Sequence, residues 1–574
     1  MTGYNKMGND AHYPLQDENV ETTFAVDARG RNRVALHQQR IIVRLTNSML
    51  RALVWPLAVG VSTVGATGCG GSSRVTTSPS PTAMRLSSRA ELRSKIDSLL
   101  ADAMWRNANW GILVADPVTG DTLYSRNAGK LFMPASNEKL LTGSTALAQL
   151  GADYRFSTWF LSSAPVVNGV LTGDLVVAGH GDPSMSDAMM GDAMKPLRLA
   201  ADSLYGLGIR EIKGALVKGG NAFPDTTIGA WDWENLETTS GAAVDELFFN
   251  QGAARVIVYG GAQVGDSVRV VTAPSRTAPT VVADFVTGGP PPVAQSGSGI
   301  GGAAIAGGRG GGRGSARAGA VRAATDLRGA TPVVHLSGWV VPNDSVVAQI
   351  AIRDPASTWL RAFAEALSDR GIALDGGIVR TPDAVISDQK RLVTLSSPRL
   401  GEIFPHFFKP SQNQIGELLL HTLGLERGGV GTADAGRRIV EQQIVAFGAD
   451  TAGFVVRDGS GLSRHDYVTP ETIVRILDAM RKRSDFKVFY DALPIGGVDG
   501  TIANRMKSTP AQGNVRAKTG TVDRSHALSG YVTTADGRML VFSFQANNYT
   551  VPNAQVERVQ DWIAAALAGS PFLK

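Results

Sequence analysis

The chain has 574 residues, 43% hydrophobic and 19% charged, the balance of globular protein, and a length that suggests three or four folded units at about 100 to 200 residues each. The formal charge of +5 does not imply nucleic acid, because Arg309, Arg313, Arg317 and Arg322 of one glycine-rich segment supply most of the excess. The single cysteine, Cys69, excludes an intramolecular disulfide and a thiolate metal cluster.

Residues 1–48 are polar and unpatterned, a disordered extension or sequence upstream of a start at Met49. The stretch 49–69, "MLRALVWPLAVGVSTVGATGC", has a short positive start with Arg51, an apolar core over 52–64 and small residues leading to Cys69. It resembles a bacterial lipoprotein signal, with Ala66 where leucine is usual. That resemblance implies export to the periplasm or cell envelope and a membrane anchor through lipidated Cys69. Interrupted by Pro56, Gly60 and Gly65, the apolar run is a poor match to the roughly 20 residues that span a bilayer. Residues 70–87 read as a flexible tether.

Folded sequence begins near Ser88 with Leu92, Ile96, Leu99 and Met104 at helical spacing. "WGILVAD" and "DTLYS" follow as a hairpin about Gly120. At the other end, "NVRAKTGTV", "HALSGYVTT" and "RMLVFSFQAN" read as three strands before a closing helix with Val556, Val559, Ile563 and Ala566 on one face. If the ends meet, residues 88–160 and 394–574 form one α/β (α+β) domain, an antiparallel sheet covered by helices. The rest is an insertion, with a domain from 161–217 and 345–393 and a β-rich subdomain from 218–344 nested in it. An internal echo supports this: residues 197–214 and 360–377 share a helix, a glycine stop and a strand at an offset of 360 − 197 = 163. Residues 287–327, rich in Gly, Ala and Arg, are expected to be a disordered linker.

"MPASNEKLLTGSTALAQLG" sets Ser136 three places before Lys139, with Pro134 suited to a helix start and Gly151 to its stop. A helix beginning at Pro134 leaves the Ser136 N–H without an intrahelical acceptor and puts Lys139 one turn away on the same face. A lysine becomes a base only when desolvation or a neighbouring cation lowers its pKa. Ser-x-x-Lys alone arises by chance in most chains of this length. Here "FFKPSQNQIG" adds Ser411 and Asn413, and "VRAKTGTV" adds Lys518, Thr519, Gly520 and Thr521 on a strand, where the glycine leaves room for a ligand backbone.

The order Ser-x-x-Lys, Ser-x-Asn, Lys-Thr-Gly resembles the set of penicillin-binding proteins and serine β-lactamases. The gap of 411 − 136 = 275 residues, against 518 − 411 = 107 for the second, resembles the low-molecular-mass class C penicillin-binding proteins, the D-alanyl-D-alanine carboxypeptidase/endopeptidase family. "GDLVVAGHGDPSM", "RDGSGLSRHDYVTP" and "LPIGGVDGTIANRM" also look like that family's stretches, so the resemblance covers about residues 90–570. It implies the transpeptidase-like fold and a serine D,D-peptidase acting on peptidoglycan stem peptides, blocked covalently by β-lactams, with no cofactor or metal. Ser136 would be the nucleophile, Lys139 its base, Ser411 a proton donor bonded to Lys139 and Lys518, and Asn413 the group orienting the substrate amide and Lys139. Lys518, Thr519 and Thr521 would hold the terminal carboxylate beside Gly520, and the Ser136 and Thr521 N–H groups would form the oxyanion hole. A β-lactamase or esterase on the same scaffold and a non-catalytic wall-binding protein are the alternatives. Ser460 in "DGSGLS" reads as a tight turn, Arg457, Asp458 and Asp499 as structural, and the scattered histidines show no metal-ligand spacing. Family members often carry an acid before "F" in the insertion; "VKGGNAFPD" lacks it, with Asp225 just after.

Overall fold

The computed structural model describes residues 85–225, 229–289, 318–328, 332–384 and 386–571. The expectations for residues 1–84, Cys69 among them, lie outside the described residues, as do those for 290–317.

The two ends of the chain meet in one sheet. Its strands are β1 (Asn109–Ala115), β2 (Thr122–Arg126), β3 (Arg516–Val522), β4 (Ser525–Thr533) and β5 (Met539–Asn547), in the order β2-β1-β5-β4-β3. Every neighbour is antiparallel, and β1 joins the halves in a register running from Asn109↔Asn547 to Ala115↔Val541. Alternation along the strands sorts side chains between two cores. Ile112, Val114, Leu528, Phe542 and Phe544 pack with Leu92 and Ile96 of the first helix and Val556 and Ile563 of the last. Leu113, Tyr531 and Val541 face the opposite way, onto Leu140, Phe404, Phe407, Leu419 and Leu477 of the helices covering the other side.

The first helix is shorter than its periodicity suggests. It closes at Leu100, so Met104 falls beyond it and is 41% exposed, while Trp105 fills the core in its place.

Insertion strands form a second five-stranded sheet, in the order Ile378–Ala384, Leu216–Gly219, Leu175–Ala178, Ser157–Ser162, Lys390–Ser396. The strand Ser157–Ser162 begins before the boundary expected at 160. The sequence echo has a physical meaning here: the two strands that follow the repeated helices, Glu211–Ile212 and Ala373–Leu374, lie side by side in parallel, Ala373 opposite Glu211, an offset of 373 − 211 = 162. The helices themselves, Lys195–Gly206 and Pro355–Arg370, share one core through Leu197, Leu204, Leu360 and Phe363. Two three-stranded sheets complete the nested part. One of them corrects the expected linker: Gly319–Asp326 is a strand paired antiparallel with Val333–Val340, and its Val321 is 1% exposed. Small side chains that cannot build a core alone can still line one once a partner strand supplies the hydrogen bonds.

Candidate active site

Ser136 sits on a turn bolted to the sheet. Met133 donates its N–H to Asn547 Oδ1 at 2.8 Å, and its carbonyl accepts from Ser525 Oγ at 2.7 Å. Residues Ala135–Asn137 then form a 3₁₀ turn that leads into the helix Glu138–Leu150. A regular α-helix from Pro134 was the sequence expectation; it is precluded because Ala135 has φ +46°, outside the helical region. Strand β3 runs against this turn. A Cβ on Gly520 would lie 2.2 Å from the Pro134 carbonyl oxygen and 3.1 Å from the Ser136 nitrogen, so only glycine permits the approach.

Lys139 is fully buried. Its Nζ lies 2.9 Å from Ser136 Oγ, 2.7 Å from Asn413 Oδ1 and 2.6 Å from the Ser460 carbonyl. Two of those partners can only accept, so a neutral amine spends both its N–H bonds on them and turns its lone pair to the one partner with a proton to give, the Ser136 hydroxyl. Burial brings the Lys139 pKa down to about 8, against the opposing pull of Asp458, Glu417, Glu138 and Asp466. The arrangement suits a general base.

Ser411 occupies a turn with φ +62°, and Asn413 is the first residue of the helix Asn413–Gly428. Lys518 Nζ donates to Ser411 Oγ at 2.8 Å and to the Thr519 carbonyl at 2.9 Å. The expected bond from Ser411 to Lys139 is not made; Asn413 stands in that place, and its other arm donates from Nδ2 to the Ser240 carbonyl of the insertion at 3.1 Å. Burial, then the Lys139 charge, pushes the Lys518 ammonium well below its ordinary range. Thr519 is 8% exposed and Thr521, near the end of β3, is exposed. All eight sequence-derived site residues therefore lie on the Ser136 turn and its helix, the Ser411 turn and β3, elements held together by the bonds above. A cavity of about 410 Å³ opens beside Ser411 and Asn413, lined also by Asp187, Gln251, Arg255 and Gln412.

The sequence reading missed what lies beneath Lys139. "DGSGLS" is indeed a tight turn, yet its Ser460 carbonyl is the shortest contact of Lys139. Asp458 shapes that turn by accepting from the Ser460, Gly461 and Ser463 N–H groups at 3.0, 2.6 and 2.7 Å, and from Trp231 Nε1 of the insertion at 2.8 Å. Glu138, Glu417 and Asp466 are buried around it. Burial foremost, then the charge of Asp458, raises all three carboxyls, Glu417 to about 8. Both carboxyl oxygens of Glu138 lack a hydrogen-bond partner among the described residues. Only a glutamate next to Lys139 hinted at this in the sequence. Asp225, the acid nearest the expected insertion position, is occupied elsewhere: its backbone carbonyl accepts from His421 Nε2 at 2.9 Å and its Oδ2 from the Ala433 N–H at 3.0 Å.

A helix-covered antiparallel sheet that carries a serine, two desolvated lysines and an amide in this arrangement defines an acyl-transferring serine enzyme of the penicillin-binding type. The chain belongs to the D-Ala-D-Ala carboxypeptidase 3 (S13) family, which it matches over residues 92–287 and 319–568, and it is a serine D,D-peptidase. It is similar to a D-alanyl-D-alanine carboxypeptidase of Actinomadura sp., 34% identical over 83% of this chain and 84% of that one. The D-alanyl-D-alanine carboxypeptidase DacB of Haemophilus influenzae is 26% identical over 79% of this chain and 88% of its own. The fold is that of the crystal structure of penicillin binding protein 4 (dacB) from Haemophilus influenzae, with a TM-score of 0.67 at 21% identity, covering 82% of this chain and 97% of that chain.

Proposed function

We propose that Ser136 is the acylated nucleophile, Lys139 its base, and Ser411 with Lys518 the proton donor to the leaving amine. The contact between Lys139 Nζ and Ser136 Oγ at 2.9 Å, with two acceptor-only groups on the other side of the amine, carries this reading. Lys139 takes the hydroxyl proton as Oγ attacks the carbonyl of the penultimate D-alanine. The Ser136 and Thr521 N–H groups stabilise the oxyanion; losing one such donor typically costs roughly 10²- to 10³-fold in rate. Ser411 protonates the departing amine and is reprotonated by Lys518, whose lowered pKa makes it the stronger acid. The acyl-enzyme then reacts with water: the water proton replaces the one Lys518 gave, and Ser136 Oγ recovers its own from Lys139. Lys518, Thr519 and Thr521, with Gly520 giving access, hold the terminal carboxylate.

The substrate is the stem peptide of peptidoglycan, cut at its D-Ala-D-Ala terminus, with β-lactams trapping the same serine. The 410 Å³ cavity beside Ser411 supports a peptide longer than the terminal dipeptide, and so cleavage of D-Ala cross-links as well. Ser136→Ala should abolish labelling by a fluorescent penicillin and D-Ala release with the melting temperature kept; labelling at full stoichiometry would sink the assignment. Muropeptide mass spectrometry separates terminal from cross-link cleavage. The stretch ending at Cys69 supports export and a lipid anchor in the envelope. Among the described residues no helix is long and apolar enough to cross a membrane. If Cys69 carries that anchor, Cys69→Ser should release the protein from membranes and remove a lipid mass adduct.

A further inference from the structure

Thr519 has one hydroxyl proton, and in the free enzyme it is already committed: Oγ1 donates to Thr501 Oγ1 at 2.7 Å. Thr501 belongs to the stretch "LPIGGVDGTI", residues 493–502, which ties the Ser411 turn to β3. At one end the Thr501 N–H donates to the Lys409 carbonyl at 3.1 Å, and the Lys409 ammonium meets Asp499 Oδ2 at 2.5 Å. Asp499 also accepts from the Ile495 N–H at 2.9 Å, closing the loop on itself. At the other end the Ala517 N–H of β3 donates to the Pro494 carbonyl at 3.0 Å. Gly500 has φ +61°, and a Cβ there would come 2.9 Å from the Lys409 carbonyl oxygen, so the bend that delivers Thr501 needs glycine. The stretch is a brace between Lys409 and β3, and it presents an exposed hydroxyl to a nearly buried one.

We propose that Thr501 is a positioning residue for the substrate carboxylate, acting through Thr519. When a C-terminal carboxylate arrives, the pair reverses: Thr519 turns its proton to the carboxylate, which can only accept, and takes in exchange the proton of Thr501. The charge-assisted bond is thereby backed by a second, and the enzyme favours substrates with a free terminal carboxylate over those without. This deepens the reading above and rests on Thr519 lying in the carboxylate subsite.

Steady-state cleavage by the full chain tests it, using a D-Ala-D-Ala peptide and the same peptide ending in a carboxamide. Thr501→Val should raise KM for the carboxylate substrate roughly three- to tenfold with kcat within about twofold, since a bond made in ground and transition state alike appears in KM. The carboxamide should be cut by wild type and variant at equal rates, and Thr501→Ser should restore the carboxylate KM. Penicillin, whose carboxylate takes the same subsite, should acylate the valine variant more slowly by the same factor. An equal loss on both substrates, a loss in kcat alone, or failure of serine to rescue would overturn the proposal. Thr519→Val separates it from its parent: loss of carboxylate preference there with none in Thr501→Val removes only the role of Thr501, whereas preference kept in both removes the subsite reading itself.

Discussion

Lys139 of the catalytic region and Lys218 of the insertion lie almost equally deep, 0% and 3% exposed, and are held in opposite ways. Lys218 is a closed ion pair, 3.0 Å from Asp245 Oδ1 and 2.7 Å from Glu246 Oε1, both carboxylates fully buried. Among the described residues, Lys139 makes no ion pair or hydrogen bond with a carboxylate. Its three partners are neutral oxygens, and the acids that surround it are kept one layer away. A buried ammonium met by opposite charge is tied into the fold by that charge; one met only by dipoles can give up its proton. The insertion spends its buried lysine on architecture; the surroundings of Lys139 suit the chemistry proposed for it.

The largest effects would come from removing each lysine. Lys139→Met should lower the second-order rate of penicillin acylation by roughly 10²- to 10⁴-fold, the usual contribution of a general base, without loss of melting temperature. Lys218→Met should do the reverse. Taking the ammonium away from two buried acids costs about 3–5 kcal/mol of stability, read by urea denaturation, while acylation per folded molecule stays within about twofold. If Lys218→Met halts acylation in folded protein, or Lys139→Met unfolds it, the contrast is wrong.

A pH profile sharpens the same contrast. With its pKa brought down to about 8, Lys139 is mostly ammonium at pH 6 and mostly free amine at pH 9. The free-amine fraction of Lys139 therefore rises about tenfold per pH unit and levels off near pH 8, and acylation at low β-lactam concentration should follow it for as long as Lys518 keeps the proton it donates. The sign for stability is also fixed. Between about 8 and the unfolded value of 10.5 the folded state binds fewer protons than the unfolded one, so burying Lys139 costs stability below pH 8, and that cost fades as pH climbs toward 10.5. A pH dependence of acylation that Lys139→Met leaves unchanged would deny Lys139 the role of base.

The sheet and the candidate site residues were legible in the sequence for different reasons. The near-continuous apolar runs in "WGILVA" and "RMLVFSFQAN" follow from having a core on each face, so β1 and β5 declared themselves although they lie more than 400 residues apart. Ser136, Lys139, Ser411, Asn413 and Lys518 were visible because the acyl transfer proposed for them puts particular side chains at short spacings within three motifs. What stayed hidden acts through backbone or through burial. The Ser460 carbonyl has no side-chain signature. Glu138, Glu417 and Asp466 look like surface acids on any charge count, and only the packing of the Asp458 loop against two helices takes them out of water. The strand Gly319–Asp326 was lost inside a glycine-rich run because its pairing partner, not its own composition, makes it a strand.

Those hidden acids carry the smallest and most specific prediction. Glu417 accepts the Gly459 N–H at 2.9 Å through Oε2, and its carboxyl is raised to about 8, level with Lys139. Near that pH the two groups compete for protons, because an ionised Glu417 favours the Lys139 ammonium and an ammonium favours an ionised Glu417. Glutamine keeps the acceptor for Gly459 and ends the competition. In Glu417→Gln the rising limb of acylation should move to lower pH by up to about one unit, a few-fold gain at pH 7. The same variant has a signature in stability. Folded Glu417 binds more protons than unfolded between 4.5 and about 8, so the carboxyl weakens the fold increasingly as pH rises through that window, and Glu417→Gln should gain on wild type over the same range. A limb that stays put or moves to higher pH would mean that the acids beneath Lys139 serve packing alone, and the contrast with Lys218 would then rest on the three neutral oxygens.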